Sequence, residues 1–503
     1  MSSTDTKTEE TRSYKDIFKA TTLFGGVQVY QIIVNVIRSK FVAVLLGTAG
    51  MGIQGLYVST LQFIQSITSL GLSGSAVRDV SEANGTGNAE RISRTVTTLR
   101  RLVWITGLLG MVVVMVLSPV LSKTTFGSYD YTVPFIVLSC ILLLDQLASG
   151  QRVVLQGLRR LKDLARASAI GATAGLIVSV PLYYILGIKG IVPTLILNSA
   201  IGLLITWLIS KKVKIPKAEL SAKETLTNGK MMVKMGIAMS ASGILSTAVA
   251  YAIRSFIMHN GGTESVGLFQ AGFVIINTYV GMVFTAIGTD YYPRLAAANK
   301  DNDECRKIVS QQGEIASQIL APLLCGCILL MPVIIKILYS DQFLEAGPFI
   351  LWCCPGMMLR MASWLIAYQF IAKAESKLYI TTEVIANLIY LALSVFGYKL
   401  GGLTGLGIAF TCEYVIYTIL VYCIAARRYG FSFSKEFNSS YLLQFTTVLL
   451  ALATILLLSA SIKYWICAAI TIASCAYALF ILERKTGIIG LLKEAIKHNK
   501  SEN

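Results

Sequence analysis

Residues 102–122 read LVWITGLLGMVVVMVLSPVLS and contain no charged side chain. A run of about 20 apolar residues is long enough to cross the hydrocarbon core of a bilayer as a helix. The rest of the chain has the same character, because 54% of its 503 residues are hydrophobic and only 14% are charged, against roughly 25% charged in soluble domains. The composition excludes a soluble enzyme and predicts an all-α polytopic membrane protein.

Comparable apolar runs recur along the chain and predict about fourteen transmembrane helices. Twelve is the lower bound, because two pairs of runs are joined by very tight turns near 186–191 and 461–463. The predicted spans lie near 18–46, 50–71, 102–122, 132–151, 167–187, 190–210, 232–257, 265–289, 314–337, 346–371, 379–398, 402–425, 441–461 and 464–482.

The distribution of Lys and Arg fixes the predicted orientation, because basic residues near span ends are retained on the cytoplasmic side. With the N-terminus inside, 35 of the 44 basic residues fall in inner segments, 5 in outer loops and 4 within spans. Both termini are therefore predicted to be cytoplasmic. The net charge of +17 is explained by topology, and no nucleic-acid partner is expected.

An internal repeat relates the two halves of the chain. Six spans is an even number, so both halves enter from the same side, and the repeat is parallel: two six-helix lobes, with two C-terminal helices as an appendage. The matches at a shift of about 215 include Ile37-Arg38-Ser39 with Ile253-Arg254-Ser255, Gly47-Thr48 with Gly262-Thr263 and Gly52 with Gly267; at a shift of 210, Gly187 matches Gly397.

The span map and the repeat divide the chain into four segments. Residues 1–213 form the predicted N lobe, 214–231 a cytoplasmic linker, 232–426 the C lobe, and 427–503 the last two helices with a cytoplasmic tail. Within the N lobe, the stretch from Gln151 to Arg166 carries five basic residues among leucines. It is interpreted as one amphipathic helix that lies against anionic lipid at the inner surface.

Four basic residues lie within predicted spans and away from the span ends, where charge is costly and marks a bundle interior or a hydrated cavity. They are Arg38, Lys40, Arg254 and Arg360. Arg38 and Arg254 are repeat mates, so we expect them to face one another across a central cleft and offer two guanidinium groups to a phosphate or pyrophosphate. In the alternative interpretation, Arg38, Lys40 and Arg254 extend to the outer lipid headgroups.

Three acidic residues also lie within spans: Asp145, Glu383 and Glu413. Asp145 and Arg360 are 215 positions apart, so they are predicted to form an ion pair between the lobes, either static or broken during transport. Glu413 has no cation nearby on its own helix and is the candidate group for proton or sodium coupling. The alternative for Glu413 is a neutral carboxylic acid hydrogen-bonded to a neighbouring helix.

The sequence contains no motif for nucleotide hydrolysis, for a serine nucleophile or for a glycosyl transferase. Nine of the ten cysteines fall in apolar runs, and the two histidines, His259 and His498, lie in other segments. These patterns predict no enzyme, no bound metal and no cofactor; coupling to H⁺ or Na⁺ is left open.

Residues 19–57 contain a dense series of motifs. They are Lys19-Ala20-Thr21, Phe24-Gly25-Gly26-Val27-Gln28, Ile37-Arg38-Ser39-Lys40-Phe41, Leu46-Gly47-Thr48-Ala49-Gly50-Met51-Gly52 and Gly55-Leu56-Tyr57. This opening resembles that of bacterial O-antigen translocases, which are lipid-linked oligosaccharide flippases of the multidrug/oligosaccharidyl-lipid/polysaccharide exporter superfamily. The likeness extends through the six-plus-six plan. Thr48 stands where proline is expected in that family's first outer turn.

The resemblance implies a substrate of undecaprenyl-pyrophosphate carrying an oligosaccharide, moved to the periplasmic leaflet of the bacterial inner membrane for O-antigen or a related surface polysaccharide. It implies contacts with membrane lipids and other polysaccharide assembly proteins, and it carries over Arg38, and through the repeat Arg254, as cavity cations. Two alternatives are a cation-coupled multidrug antiporter, which favours an acidic and aromatic cavity, and a glycan polymerase or ligase, which needs a larger outer loop than this chain has.

Overall fold

The computed structural model describes residues 3–213, 215–216 and 218–486, and this part of the chain contains helices and turns but no strand. Four parts of the chain lie outside the described residues: residues 1–2, positions 214 and 217 of the predicted linker, and residues 487–503 of the predicted cytoplasmic tail. The helices are α1 (Ser3–Thr68), α2 (Leu72–Gly85), α3 (Ala89–Phe126), α4 (Thr132–Leu138), α5 (Cys140–Gly157), α6 (Leu161–Leu186), α7 (Ile191–Lys211), α8 (Ala222–Val274), α9 (Met282–Ala297), α10 (Asn302–Leu329), α11 (Met331–Leu338), α12 (Gly347–Ala372), α13 (Ser376–Tyr429), α14 (Lys435–Leu457) and α15 (Ala460–Thr486), with 3₁₀ turns at Gly187–Gly190 and Asp341–Ala346 and a π-helical turn at Ile275–Val280.

Ten helical segments in the described part are long enough and apolar enough to cross a membrane. Four of these are 40, 51, 76 and 54 residues long, roughly two to four times the length of about 20 residues that one crossing needs. Each is interrupted at a glycine with positive φ, namely Gly47, Gly187, Gly262 and Gly402. Counting each long segment as two crossings gives fourteen, as the sequence predicts.

The backbone repeats in the two halves at the positions that the sequence comparison selects. Gly47 (φ 66°, ψ −169°) interrupts α1, and its repeat mate Gly262 (φ 73°, ψ −177°) interrupts α8. This combination of angles is accessible to glycine because it lacks Cβ. The two glycines therefore make the same break between the first and second spans of each half.

Two further pairs fix the register of the repeat at 215 residues. Arg159 and Ala374 both have positive φ, 55° and 58°, at the ends of α5 and α12. Gly187 (φ 55°, ψ −134°) has its counterpart in Gly402 (φ 54°, ψ −133°). The predicted match of Gly187 with Gly397 is wrong: a short shared motif outweighed the true equivalence, which lies at the turn.

The positive φ of Arg159 also corrects the interpretation of residues 151–166 as one amphipathic helix. The helix α5 ends at Gly157 and α6 begins at Leu161. The amide of Arg160 donates to the carbonyl of Leu155 (2.8 Å), which closes the helix end as a Schellman-type turn. The basic stretch is thus two helix ends joined by a tight turn.

The described chain forms two compact units. The first comprises residues up to Gly267 together with Leu338–Ser340, and the second comprises Leu268–Ile337 and the residues from Asp341 onward. The sequence placed the lobe boundary at the 214–231 linker, whereas the first unit extends along α8 to Gly267. The division into lobes at the linker stays a prediction.

Glycine contacts explain why most of α8 packs within the first unit. A Cβ at Gly52 would lie 1.9 Å from the carbonyl oxygen of Thr263, and a Cβ at Gly267 would lie 1.9 Å from that of Thr48. Gly52 and Gly267 are repeat mates, as are Thr48 and Thr263, so the contact is symmetric. Small residues allow such close backbone approach between membrane helices.

In the second unit, α14 and α15 are joined to α10 by a buried polar network. The Gln318 amide donates to the Ser440 hydroxyl (2.6 Å), and the Gln444 amide donates to the Gln318 side-chain carbonyl (2.8 Å). The Ser474 hydroxyl completes the network by donating to Gln444 (2.6 Å). The last two helices are therefore an integral part of the second unit and not a loose appendage.

Candidate functional site

The first unit contains a polar pocket of about 500 Å³ between α1, α5, α6 and α7, called here the first-unit pocket. Its walls combine two guanidinium groups, one carboxylate, three amides and three hydroxyls with a floor of small residues. The lining is Gln31, Asn35, Arg38, Asp145, Ala148, Arg152, Ala167, Ser168, Gly171, Ala172, Gly175, Asn198, Ser199, Gly202 and Thr206.

Arg38 projects from α1 against the glycine-rich face of α6. Its Nη2 donates to the carbonyl oxygen of Ala172 (3.2 Å) and lies 2.8 Å from where a Cβ would stand on Gly175. Its buried Nε has no hydrogen-bond partner among the described residues. An unpaired buried donor is costly, so the Arg38 guanidinium has capacity for an acceptor that the protein itself does not provide.

Asp145 faces the same pocket from α5 and interacts with the Ser199 hydroxyl of α7 and with Arg152. Arg152 lies seven positions after Asp145, close to two helical turns, so both side chains project from one face of α5. Arg152 is exposed at the pocket. In this structure the cation beside Asp145 is Arg152, and the predicted pair of Asp145 with Arg360 stays a prediction.

The other two predicted cations of the first unit are not among the residues that line this pocket. Arg254 is buried in α8, with 7% of its surface exposed, and donates to the carbonyl oxygen of Ala250 (2.9 Å). Lys40 donates to the carbonyl oxygen of Tyr339 (2.5 Å). The structure therefore does not bring Arg254 or Lys40 into the pocket that Arg38 lines.

In the second unit, the structure brings three predicted site residues together. They are Arg360, Glu383 and Glu413, called here the Arg360 cluster. Nη1 of Arg360, on α12, donates to Oδ1 of Asn277 (2.7 Å), and the guanidinium lies over the Phe284 ring (5.3 Å) and the Tyr414 ring (5.8 Å). Asn277 belongs to the π-helical turn between α8 and α9. Such turns are frequent at functional sites.

Both acidic residues of α13 face this guanidinium. Arg360 interacts electrostatically with Glu383 and with Glu413, and Glu413 is 5% exposed. The Tyr417 hydroxyl donates to Oε1 of Glu383 (2.9 Å). The sequence offered Glu413 no cation on its own helix; the tertiary structure provides one from α12.

Two residues of these sites escaped the sequence analysis. Arg152 was assigned to a surface helix, although its spacing from Asp145 was a usable signal. Asn277 had no signal, because an isolated asparagine in an apolar run does not reveal a π-helical turn. Among the described residues, no group of three or more His, Cys, Asp or Glu side chains is placed to hold a metal ion.

The chain matches a known protein family over most of its length. The sequence profile of the family described as "Polysaccharide biosynthesis protein" matches residues 19–348, well over half of the chain. The chain belongs to this family. The match begins at the same Lys19 where the opening motif begins.

Two relatives of the chain are named flippases. The chain is 22% identical over 391 residues to the Lipid III flippase of Escherichia coli (strain K12), which covers 75% of this chain and 90% of the relative. The Lipid III flippase of Shigella flexneri matches to the same extent. The family match and these two relatives confirm the predicted resemblance to lipid-linked flippases.

Solved structures of the same architecture confirm the fold class. An inward-facing multidrug resistance MATE family transporter of the MOP superfamily aligns with TM-score 0.67 and 14% identity, covering 80% of this chain and 94% of its own. The Lipid II flippase MurJ, in an inward closed conformation, aligns with TM-score 0.64 and 12% identity, covering 93% and 99%. At these identities the likeness concerns the fold, which is all-α and polytopic.

Proposed function

We propose that this protein translocates an undecaprenyl-pyrophosphate-linked oligosaccharide, the repeat unit of O-antigen or a related surface polysaccharide, from the cytoplasmic to the periplasmic leaflet by alternating access. The protein would act in the bacterial inner membrane with both termini cytoplasmic, beside other polysaccharide assembly proteins, and would be a transporter and not an enzyme. Family membership and relatives named Lipid III flippase support a lipid-linked substrate.

The observation that carries this proposal is the first-unit pocket with Arg38 in it. A pyrophosphate and a hydroxyl-rich glycan do not cross hydrocarbon unaided. A polar pocket inside a membrane-spanning unit lowers that barrier, because its guanidinium and amide groups replace water around the headgroup. Arg254, Lys40 and Arg360 stay proposed as further substrate cations.

The Arg360 cluster is proposed to couple transport to an ion gradient. Two carboxylates, Glu383 and Glu413, share one guanidinium, so the charge of the cluster changes when one of them takes up a proton or when a small cation binds. Asp145 beside Arg152 is proposed as the corresponding charge pair of the first unit.

A second candidate function is cation-coupled multidrug antiport, favoured by the structural likeness to a MATE family transporter. The first-unit pocket argues against it: its two guanidinium groups outnumber its one carboxylate, and its lining contains no aromatic ring. Organic cations prefer the opposite arrangement.

The test is a reconstituted liposome assay. Purified protein is incorporated into vesicles that carry a fluorescent undecaprenyl-pyrophosphoryl-oligosaccharide, and its appearance in the opposite leaflet is followed with and without imposed H⁺ or Na⁺ gradients. We expect protein-dependent translocation. Gradient-driven efflux of organic cations without lipid translocation would instead establish the antiporter.

A substitution in the Arg360 cluster tests the coupling role. In Glu413→Gln, we expect the gradient-stimulated part of translocation to be lost while gradient-independent exchange and the fold persist.

In Arg360→Ala, we expect a loss of stability of about 3–5 kcal/mol, because two carboxylates lose the cation beside them. Thermal unfolding in detergent measures the second effect.

The matched control is Glu345→Gln, an exposed carboxylate in the 3₁₀ turn before α12. We expect it to leave both readouts unchanged. A Glu413→Gln protein that responds to both gradients like the wild type would remove Glu413 from the coupling mechanism.

A further inference from the structure

Equivalent positions in the two halves of the chain line an open polar pocket in the first unit and hold large side chains in the second. The paired backbone breaks, Arg159 with Ala374 and Gly187 with Gly402, fix positions 215 apart as equivalent throughout α5–α7 and α12–α13. Residues of the first-unit pocket and their equivalents in the second unit are Asp145 and Arg360, Ser168 and Glu383, Asn198 and Glu413, Gly171 and Ala386, Gly175 and Tyr390, Ser199 and Tyr414, and Gly202 and Tyr417.

In the second unit, tyrosines fill the space that is open in the first. Tyr417 is 5% exposed, and the rings of Tyr390 and Tyr414 lie 6.4 and 4.9 Å from that of Phe410. The charged residues at the equivalent positions, Arg360, Glu383 and Glu413, interact electrostatically. The equivalent helices therefore accommodate large side chains at these positions, so the helix packing does not require glycine there.

Two glycines of the first-unit pocket, Gly171 and Gly202, make room and are not contact points. Apart from the local helix backbone, no atom of the described residues lies within 4 Å of where a Cβ would stand on Gly171 of α6 or on Gly202 of α7. A glycine inside a helix lowers its stability by roughly 1 kcal/mol relative to alanine. The open floor of the pocket thus has a cost that packing does not offset, as expected of a ligand site.

The lining matches a sugar better than a bare pyrophosphate. A pyrophosphate presents acceptors, so a site for it alone would offer donors. This pocket also offers acceptors: the Asp145 carboxylate and the side-chain carbonyls of Gln31, Asn35 and Asn198. Sugar hydroxyls both donate and accept, and a cavity of about 500 Å³ is within the usual range for small-ligand pockets.

We infer that the first-unit pocket is the subsite for a sugar ring of the transported oligosaccharide, and that Gly171 and Gly202 set the size of the sugar that enters. This inference rests on the proposed function. Arg38 and Arg152 exceed Asp145 in charge, so the pocket favours a neutral or acidic sugar over a cationic one. The Arg360 cluster is the same site closed by tyrosines.

The test introduces large side chains into the first-unit pocket, at positions where the second unit or the open space allows them. Gly202→Tyr copies Tyr417, which the same repeat position already accommodates. Gly171→Leu fills the pocket from α6 and is the second variant if Gly202→Tyr does not fold. Gly326→Tyr, at a position in α10 of the second unit that also has no atom within 4 Å of its Cβ position, is the control for a bulky side chain outside the pocket.

Binding to protein in nanodiscs is measured for two probes, undecaprenyl pyrophosphate and undecaprenyl-pyrophosphoryl-oligosaccharide. We expect the filled variants to bind the oligosaccharide probe at least 10-fold more weakly and the bare pyrophosphate probe unchanged, and Gly326→Tyr to bind both like the wild type. Equal loss of both probes would assign the pocket to the pyrophosphate, and no loss of either would remove it from the binding site; both outcomes overturn the sugar subsite. A wild-type protein that binds neither probe would overturn the proposed function itself.

Discussion

Arg38→Ala is expected to reduce translocation of the lipid-linked oligosaccharide by about 100-fold, because a guanidinium that bonds a phosphate or an anionic oxygen contributes roughly 1.5–3 kcal/mol. The same substitution is expected not to lower the thermal unfolding temperature. The buried Nε of Arg38 lacks a partner among the described residues, so the protein carries that group at a cost to its stability. The liposome assay and thermal unfolding of the same preparation measure the two effects.

Two further variants separate the role of charge from that of shape. Arg38→Lys keeps the positive charge and loses the planar fork, so we expect an intermediate rate. Arg38→Met keeps much of the volume without the charge, and we expect a higher unfolding temperature with no transport. Wild-type transport by Arg38→Met would show that this arginine has no part in binding the substrate.

Gly52→Ala is expected to destabilise the first unit by about 1–3 kcal/mol, the usual range for overpacking a close contact. The new methyl group would stand 1.9 Å from the carbonyl oxygen of Thr263, and backbone on both sides leaves the helices no local adjustment other than separation. Gly267→Ala should have the same effect through Thr48, and the double variant should cost less than the sum, because both substitutions break one contact.

Gly243→Ala is the control for this prediction. Gly243 lies in α8, and in the described part of the chain no atom beyond the local helix backbone lies within 4 Å of where its Cβ would stand. Because alanine favours the helix over glycine, we expect it to be neutral or slightly stabilising. Unfolding of Gly52→Ala and Gly243→Ala at the same temperature would contradict the structural role of the Gly52–Gly267 contact.

The repeat illustrates how far a single sequence carries the fold. Gly47 and Gly262 were matched from sequence, and the structure gives both the same backbone angles. The next match failed, because Gly397 shares a short motif with Gly187 whereas the turn lies at Gly402. Backbone angles identify equivalent positions where common residues such as glycine and lysine do not.

The sequence indicated which residues belong to candidate sites, but it did not indicate which of them lie next to one another. All seven predicted site residues are charged side chains in apolar helices, which is the signal that the sequence contains. Their neighbours were not predictable: the cation beside Asp145 is Arg152, and the cation beside Glu413 is Arg360. The prediction that Asp145 pairs with Arg360 rests on the 215-residue repeat alone, which relates equivalent positions and does not indicate which side chains are neighbours.

The sequence by itself determined the all-α membrane class, a prediction of about fourteen crossings, most of the repeat matches and the resemblance to a flippase family, because apolar length, glycine breaks and motif residues are properties of the chain read in order. Only the tertiary structure decided which charges share a site, that α8 packs with the first unit as far as Gly267, and that one copy of the repeated site is open while the other is filled. The physical reason is that lipid and neighbouring helices are equally apolar, so a membrane helix does not reveal in its sequence which face turns toward its partners.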